Sequence, residues 1–346
     1  MATTYKTFLN NDVTTTRTLL HEAIPITGSI VSGTYDGANI KNYTADLFQS
    51  VYDYPYLSSS ANHIFDITCG YSTRSTLSSS ALGDGITSLQ DIHNKVNMYN
   101  EMAKVLVGHD VTGSIQRFDQ DGNISAGGAK LNEIYVLNFA RLLYKDEIKK
   151  GTFILKLGDD TDFDTPNVTQ TTISDFQGTQ HFLVNSPVGE YGILYTSSVD
   201  INTTSGVGLL YYQAGVAILT ASIFGDQELN PTNEVQAVLS GSSIAANADA
   251  LRHRFYDLQF NNTTELNSTI YFCRINHNEF NYSANPTYLS SSQIVVKQQS
   301  TDAPVSFMTS VGLYSADNEL LGVAKLSEPL RKTPNNELIL RVRLDY

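Results

Sequence analysis

Apolar and polar positions alternate most cleanly at the end of the chain. Over 337–346 apolar side chains hold the even positions, while Glu337, Arg341, Arg343 and Asp345 hold odd ones, the period of a half-buried strand. Upstream, Val305, Phe307, Val311 and Leu313 alternate in the same way, Ser315 to Asn318 supply turn chemistry, and 320–325 can run back as a partner strand. The pattern predicts a C-terminal β-meander over 304–346. Chain ends ordinarily fray, so a terminus patterned this well is expected to be clamped into a sheet, either its own or a neighbour's.

The clearest helical period covers about 88–107, where Ile92, Val96, Tyr99, Ala103 and Leu106 recur at spacings of three and four. Thr87 or Ser88 can cap its start and Gly108 can close its end. A second helix is expected at about 244–258, with Ile244, Ala248, Leu251, Phe255 and Leu258 as its stripe and Arg252 and Arg254 facing outward. Two shorter helices are read at 12–23, ended by Pro25, and at 44–52, ended before Pro55. Most of the remainder reads as strands, at 133–139, 151–157, 190–196, 208–213, 216–221 and 269–275. The segment 159–178 is polar and short of apolar residues, and is expected to be a loop or projecting arm.

Runs of strands with a few helices inserted, and no regular alternation of the two, predict an α+β, mainly β fold: antiparallel sheets or a sandwich, with the two helices and the meander. Three stretches follow along the chain: a mixed N-terminal region at 1–85, a helix plus β-rich region at 86–240, and a helix with the meander at 241–346. One continuous domain would satisfy the same pattern. Tyr-Leu-Ser-Ser-Ser occurs at 56–60 and again at 288–292, but the flanking residues do not align, so no duplication is read.

Composition changes the picture in one respect. Charged residues make up only 16% of the 346, and polarity is carried by Ser, Thr, Asn and Gln beside 20 Tyr and 15 Phe. Such a surface suits broad contacts through tyrosine and backbone hydrogen bonds. The same Thr and Tyr also follow strand propensity, and composition leaves both explanations open. A net charge of −13 argues against nucleic acid as a partner. The end of the chain from Lys325 is mildly basic, which fits either a docking element or an ordinary edge strand. No apolar run reaches membrane-spanning length; the most apolar stretch, 206–224, is interrupted by glycines and Gln213. The first residues lack a basic region followed by an apolar core, so no signal peptide is read and synthesis in a cytoplasm is expected. The eight Asn-x-Ser/Thr sequons are then by-products of an Asn- and Thr-rich chain.

Candidate chemistry is sparse. The two cysteines, Cys69 and Cys273, lie far apart, outside any zinc or redox spacing, and are expected to be buried free thiols. Asp119, Asp121 and Asn123 alternate around Gly122 as calcium ligands do, but the glycine falls at the wrong place for an EF-hand and a hairpin turn explains the run better. Asp159, Asp160, Asp162 and Asp164 form a second acidic cluster, read as a solvated loop. The histidines His21, His63, His93, His109, His181, His253 and His277 show no metal-binding spacing. Gly127-Gly128-Ala129-Lys130 resembles half a phosphate loop, without its first glycine or the hydroxyl residue after lysine. No nucleophile motif occurs, so no enzymatic activity is expected, and no catalytic, cofactor-binding or metal-ligating residue is assigned.

Two segments, 272–288 (Phe-Cys-Arg-Ile-Asn-His-Asn-Glu-Phe-Asn-Tyr-Ser-Ala-Asn-Pro-Thr-Tyr) and 311–330, together with the Arg-Leu-Asp-Tyr ending, resemble structural virion proteins of contractile-tailed, T4-like marine bacteriophages, including those of cyanobacteria. The opening, over 5–10 and 20–28, is similar to the same group. The resemblance implies a tail- or baseplate-associated virion subunit, made in the host cytoplasm. Its partners would be other virion proteins, in a homo- or hetero-oligomeric ring or wedge, with neither nucleic acid nor membrane involved. It brings no catalytic residues. Alternatives are a host-glycan-binding fibre or adhesin module, and a neck or head connector or decoration protein.

Overall fold

A computed structural model describes residues 5–31, 37–43, 45, 47–78, 89–124, 128–160, 167–196, 206–224, 228–230, 233–234, 243–283, 289–290, 293–294, 301 and 304–346. The strands in chain order are β1 (Val13–Thr27), β2 (Ile40–Asn42), β3 (Gln49–Tyr52), β4 (His63–Tyr71), β5 (Glu133–Phe139), β6 (Glu147–Ile148), β7 (Ile154–Gly158), β8 (Gln170–Ser174), β9 (Leu183–Ser186) and β10 (Gly189–Leu194). They continue as β11 (Gly208–Tyr211), β12 (Val216–Thr220), β13 (Glu228–Asn230), β14 (Asn233–Glu234), β15 (Phe255–Ile275), β16 (Leu289–Ser290), β17 (Gln293–Ile294), β18 (Ser306–Tyr314), β19 (Leu320–Lys332) and β20 (Leu338–Asp345). Four α-helices are described: α1 (Gly28–Val31), α2 (Leu89–Leu106), α3 (Arg141–Tyr144) and α4 (Ile244–His253). With 47% strand against 16% helix and antiparallel sheets, the fold is β-rich α+β. Two compact units are present, Met1–Leu19 with Glu265–Tyr346 (unit 1) and Leu20–Thr264 (unit 2). Their boundaries fall within β1 and β15, a different partition from the three stretches read along the sequence.

Unit 2 is built on an eight-stranded antiparallel sheet in the order β2-β3-β4-β5-β12-β11-β10-β9. Both of its faces are covered, which is why its central strands read as nearly continuous apolar runs. In β5, Tyr135, Leu137 and Phe139 enter one buried cluster and Ile134 and Val136 the other; β12 divides the same way, with Ala217 and Leu219 opposed to Val216 and Ile218. The first cluster continues into α4 and into the part of β15 within this unit. There Phe65 stacks on Phe255 at 5.6 Å, and Phe139 meets Phe260 at 5.3 Å and Phe153 at 6.1 Å. The second lies under α2, whose Tyr99, Ala103 and Leu106 supply the expected stripe. A Cβ at Gly70 of β4 would sit 2.5 Å from the Lys95 carbonyl oxygen, so only glycine lets α2 approach this closely. Gly108, at φ 91°, closes the helix.

In unit 1, β20 pairs with β15 over eight residues, from Ser268↔Asp345 to Ile275↔Leu338. Leu340 and Val342 turn inward while Arg341 and Arg343 face out, as the alternation requires. The terminal strand is thus clamped in a sheet of its own chain. The three strands of the expected meander are all present, but β20 pairs with β15 and not with β19, so β18 and β19 form a separate two-stranded hairpin. Its turn uses Ser315–Asn318 as read, with Asn318 at φ 64°. One residue of β18, Thr309, opposes four of β19, Leu326 to Pro329, because Met308 pairs with Leu330 and Ser310 with Lys325.

Four expectations are corrected. The stretch 12–23 is not helical: it belongs to 3-10 residues Asn10–Asp12 and to β1, an edge strand beside β15. Its three consecutive threonines are stiff, β-favouring residues, and Pro25 is tolerated at a sheet edge. In 44–52, Thr44 and Asp46 lie outside the described residues, and Gln49–Tyr52 is β3, paired with β4. The helix expected over 244–258 stops at His253, because the Arg254 guanidinium is buried against the carbonyl oxygens of Gly158 (3.1 Å) and Asp160 (2.8 Å) and β15 begins at Phe255. The segment 159–178 contains a strand, β8, paired with β7 over five residues; its lone apolar residue, Ile173, is fully buried. Residues 161–166, with Asp162 and Asp164, lie outside the described residues.

Candidate functional site

Within unit 1, the segment 5–8, β15 and the inner part of β18 enclose a cleft of about 510 Å³. Its walls are aromatic and aliphatic: Tyr5 meets Tyr314 edge to face at 4.8 Å, and Phe272, Phe280, Leu313 and Leu340 complete them. Two ion pairs lie at its margin. Lys6 pairs with Glu279 at 2.5 Å, and Arg274 pairs with Asp12. The hydrogen bond from Arg274, and a second from the Leu9 N–H at 3.0 Å, hold the Asp12 carboxyl below its usual range. Cys273 is only partly buried, where a buried thiol was expected; burial and the Asp12 charge push its pKa up, away from the reactive thiolate. This cleft can hold an apolar or aromatic group beside a fixed ion pair.

The second feature of unit 1 is its exterior. Among its described residues only four hydrophobics are buried, Ile275, Leu313, Leu340 and Val342, while sixteen large ones are exposed. The hairpin carries many of these, including Phe307, Tyr314, Leu320, Leu321, Val323 and Leu330. Its base is held by Lys332, whose buried ammonium donates to Asn281 Oδ1 (2.7 Å) and to the carbonyl oxygens of His277 (3.1 Å) and Thr333 (2.8 Å).

The residues weighed in the sequence are dispersed. Asp119 is buried and paired with Lys130, beside the turn at Gly122 (φ 74°). A hydrogen bond shared with Asp119, and one from the Asn123 N–H, hold the Asp121 carboxyl down. Residues 125–127, including Gly127, lie outside the described residues. Asp159 accepts from the Thr171 hydroxyl at 2.6 Å. Cys69 is buried as expected. Among the described residues no group of three or more His, Cys, Asp or Glu is placed to hold a metal ion, and no helix is long and apolar enough to cross a membrane.

Sequence reasoning missed the buried polar groups of unit 2. Asp175, fully buried, accepts from the N–H groups of Gly151 (2.7 Å) and Phe153 (2.9 Å) and from the Tyr212 hydroxyl (3.1 Å). Burial nevertheless raises its carboxyl pKa. Lys95 of α2 is fully buried, its ammonium 6.0 Å from the centre of the Tyr71 ring, and burial lowers its pKa. Nothing in the alternation of neighbours distinguishes either residue from a solvated one. Tyr71, Tyr99, Tyr135, Tyr191, Tyr211 and Tyr212 are likewise interior, so these tyrosines follow strand and core packing, while Tyr5, Tyr282, Tyr314 and Tyr346 in unit 1 are exposed.

No family model matches the chain, and no curated protein or solved structure matches it significantly.

Proposed function

We propose that this chain is a structural subunit of a bacteriophage virion, a tail or baseplate component that acts through protein–protein contacts in a symmetric assembly. The observation that carries the assembly role is the inverted surface of unit 1, where sixteen large hydrophobics are exposed against four buried among the described residues. The virion setting rests on the resemblance of 272–288 and 311–330 to tailed-phage structural proteins. Mass spectrometry of purified particles tests the reading: its peptides are expected at a fixed ratio to those of other virion proteins, and particles free of them overturn it.

A second reading, a host-glycan-binding module, is favoured by the unit 1 cleft, where Tyr5 and Tyr314 could stack on a sugar ring. A glycan array without hits counts against it.

A further inference from the structure

We infer that two copies of this chain pair through the outer edge of β19, antiparallel about a twofold axis at Gly322. The inference rests on the assembly reading and names the partner and the surface. Among the described residues β19 pairs only with β18, and most of this two-stranded ribbon is exposed. An isolated two-stranded hairpin is at best marginally stable in water, and an unpaired strand edge is a template for another strand.

The edge at 319–325 reads Glu-Leu-Leu-Gly-Val-Ala-Lys. Centred on Gly322, an antiparallel copy brings Leu321 against Val323 of the partner subunit and Glu319, just before β19, toward Lys325 of the partner subunit; Leu321 is itself an extra residue of β19, because Leu313 pairs with Gly322 and Tyr314 with Leu320. Leu321 and Val323 are 67% and 56% exposed, so the pairing covers apolar surface that the chain leaves bare. Glu319 and Lys325 are exposed and take part in no ion pair among the described residues, and the pairing gives each an opposite charge. A Cβ at Gly322 would meet nothing within 4 Å, leaving open space where the two backbones come closest. The extra residues of β19, Leu326 to Pro329, end the pairing edge, since proline lacks an N–H to donate.

Charge selects a second copy over other occupants. Unit 1 contains nine Lys and Arg against nine Asp and Glu, whereas unit 2 contains thirteen against twenty-six, the whole net charge of −13. Two copies therefore repel through unit 2 and meet without net repulsion through unit 1. By contrast β20, the clamped strand of unit 1, places Arg341 and Arg343 outward, the usual protection of an edge.

Sedimentation of the full chain over a concentration series tests the pairing. The wild type is expected to dimerise, and Glu319→Lys and Lys325→Glu each to weaken self-association roughly tenfold by juxtaposing like charges twice. An equimolar mixture of the two variants restores both ion pairs and should recover wild-type affinity as a heterodimer. Gly322→Cys should oxidise to a covalent dimer, and Lys325→Cys should not. A monomeric wild type, or a mixture no tighter than its components, overturns the inference. Particles that contain a chain monomeric in solution would overturn this pairing alone; a dimer absent from particles would overturn the virion reading alone.

Discussion

Among the described residues, unit 2 buries forty-six hydrophobic residues and exposes twelve large ones; unit 1 buries four and exposes sixteen. The charges divide as unevenly, since unit 2 holds the entire acidic excess and unit 1 is neutral. Among the described residues, one unit thus encloses most of its apolar side chains and carries the whole net negative charge, while the other keeps apolar side chains outside and carries no net charge.

The largest effect should come from removing 337–346. Loss of β20 strips eight residue pairs from β15 and two of the four buried hydrophobics of unit 1. Amide protection in unit 1 should collapse while unit 2 keeps its own, as hydrogen exchange would show. Removing Met1 to Thr4, which lie outside the described residues, is the control and should be tolerated; equal tolerance of both truncations would break the comparison.

Next come two truncations of similar chemistry. Phe139→Ala, at the centre of the unit 2 aromatic cluster, should cost about 3–5 kcal/mol in urea unfolding. Leu321→Ala, at 67% exposure, should change unfolding of the monomer, measured at a concentration below self-association, by no more than about 0.5 kcal/mol. Similar costs at the two sites would mean that the exposed leucine is part of a core.

The smallest effect is a divergence on acidification. The folded pKa of Asp12 in unit 1 lies below the ordinary 3.8, so its stabilisation is complete above pH 3.8 and is lost as pH falls through the depressed value. Asp175 in unit 2 has a folded pKa above 3.8, so the cost of burying its charge is present above that raised value and fades as pH falls toward 3.8. Between neutrality and pH 3.8 the Asp175 contribution should therefore favour unit 2 while Asp12 leaves unit 1 unchanged; below 3.8 unit 1 should weaken. A pH series of hydrogen exchange on wild type, Asp12→Asn and Asp175→Asn separates the two, and parallel behaviour of both units would contradict it.

Legibility in the sequence followed how much of an element is decided locally. Helix α2 was readable because five apolar residues at helical spacing agree with a glycine at its end, and β20 because charge and apolarity alternate. Strand β1 was not, since nearly all of its side chains are exposed and its pairing with β15 is made by backbone groups that leave no period. The end of α4 was hidden for another reason: Phe255 and Leu258 fit a helical stripe and a strand equally well, and the buried Arg254 decides between them through carbonyl groups ninety-odd residues away. The apolar surface of unit 1 was invisible because a half-buried and a half-exposed strand share one alternation; only burial tells them apart.

The division at Leu19/Leu20 and Thr264/Glu265 has a consequence for the order of synthesis. Unit 1 joins the first nineteen residues to the last eighty-two, so its opening strand must wait while the 245 residues of unit 2 are made. At ribosomal speeds that wait is on the order of ten to fifty seconds, long enough for unit 2 to fold first. The hairpin of β18 and β19 is thus synthesised only after the whole of the acidic unit 2.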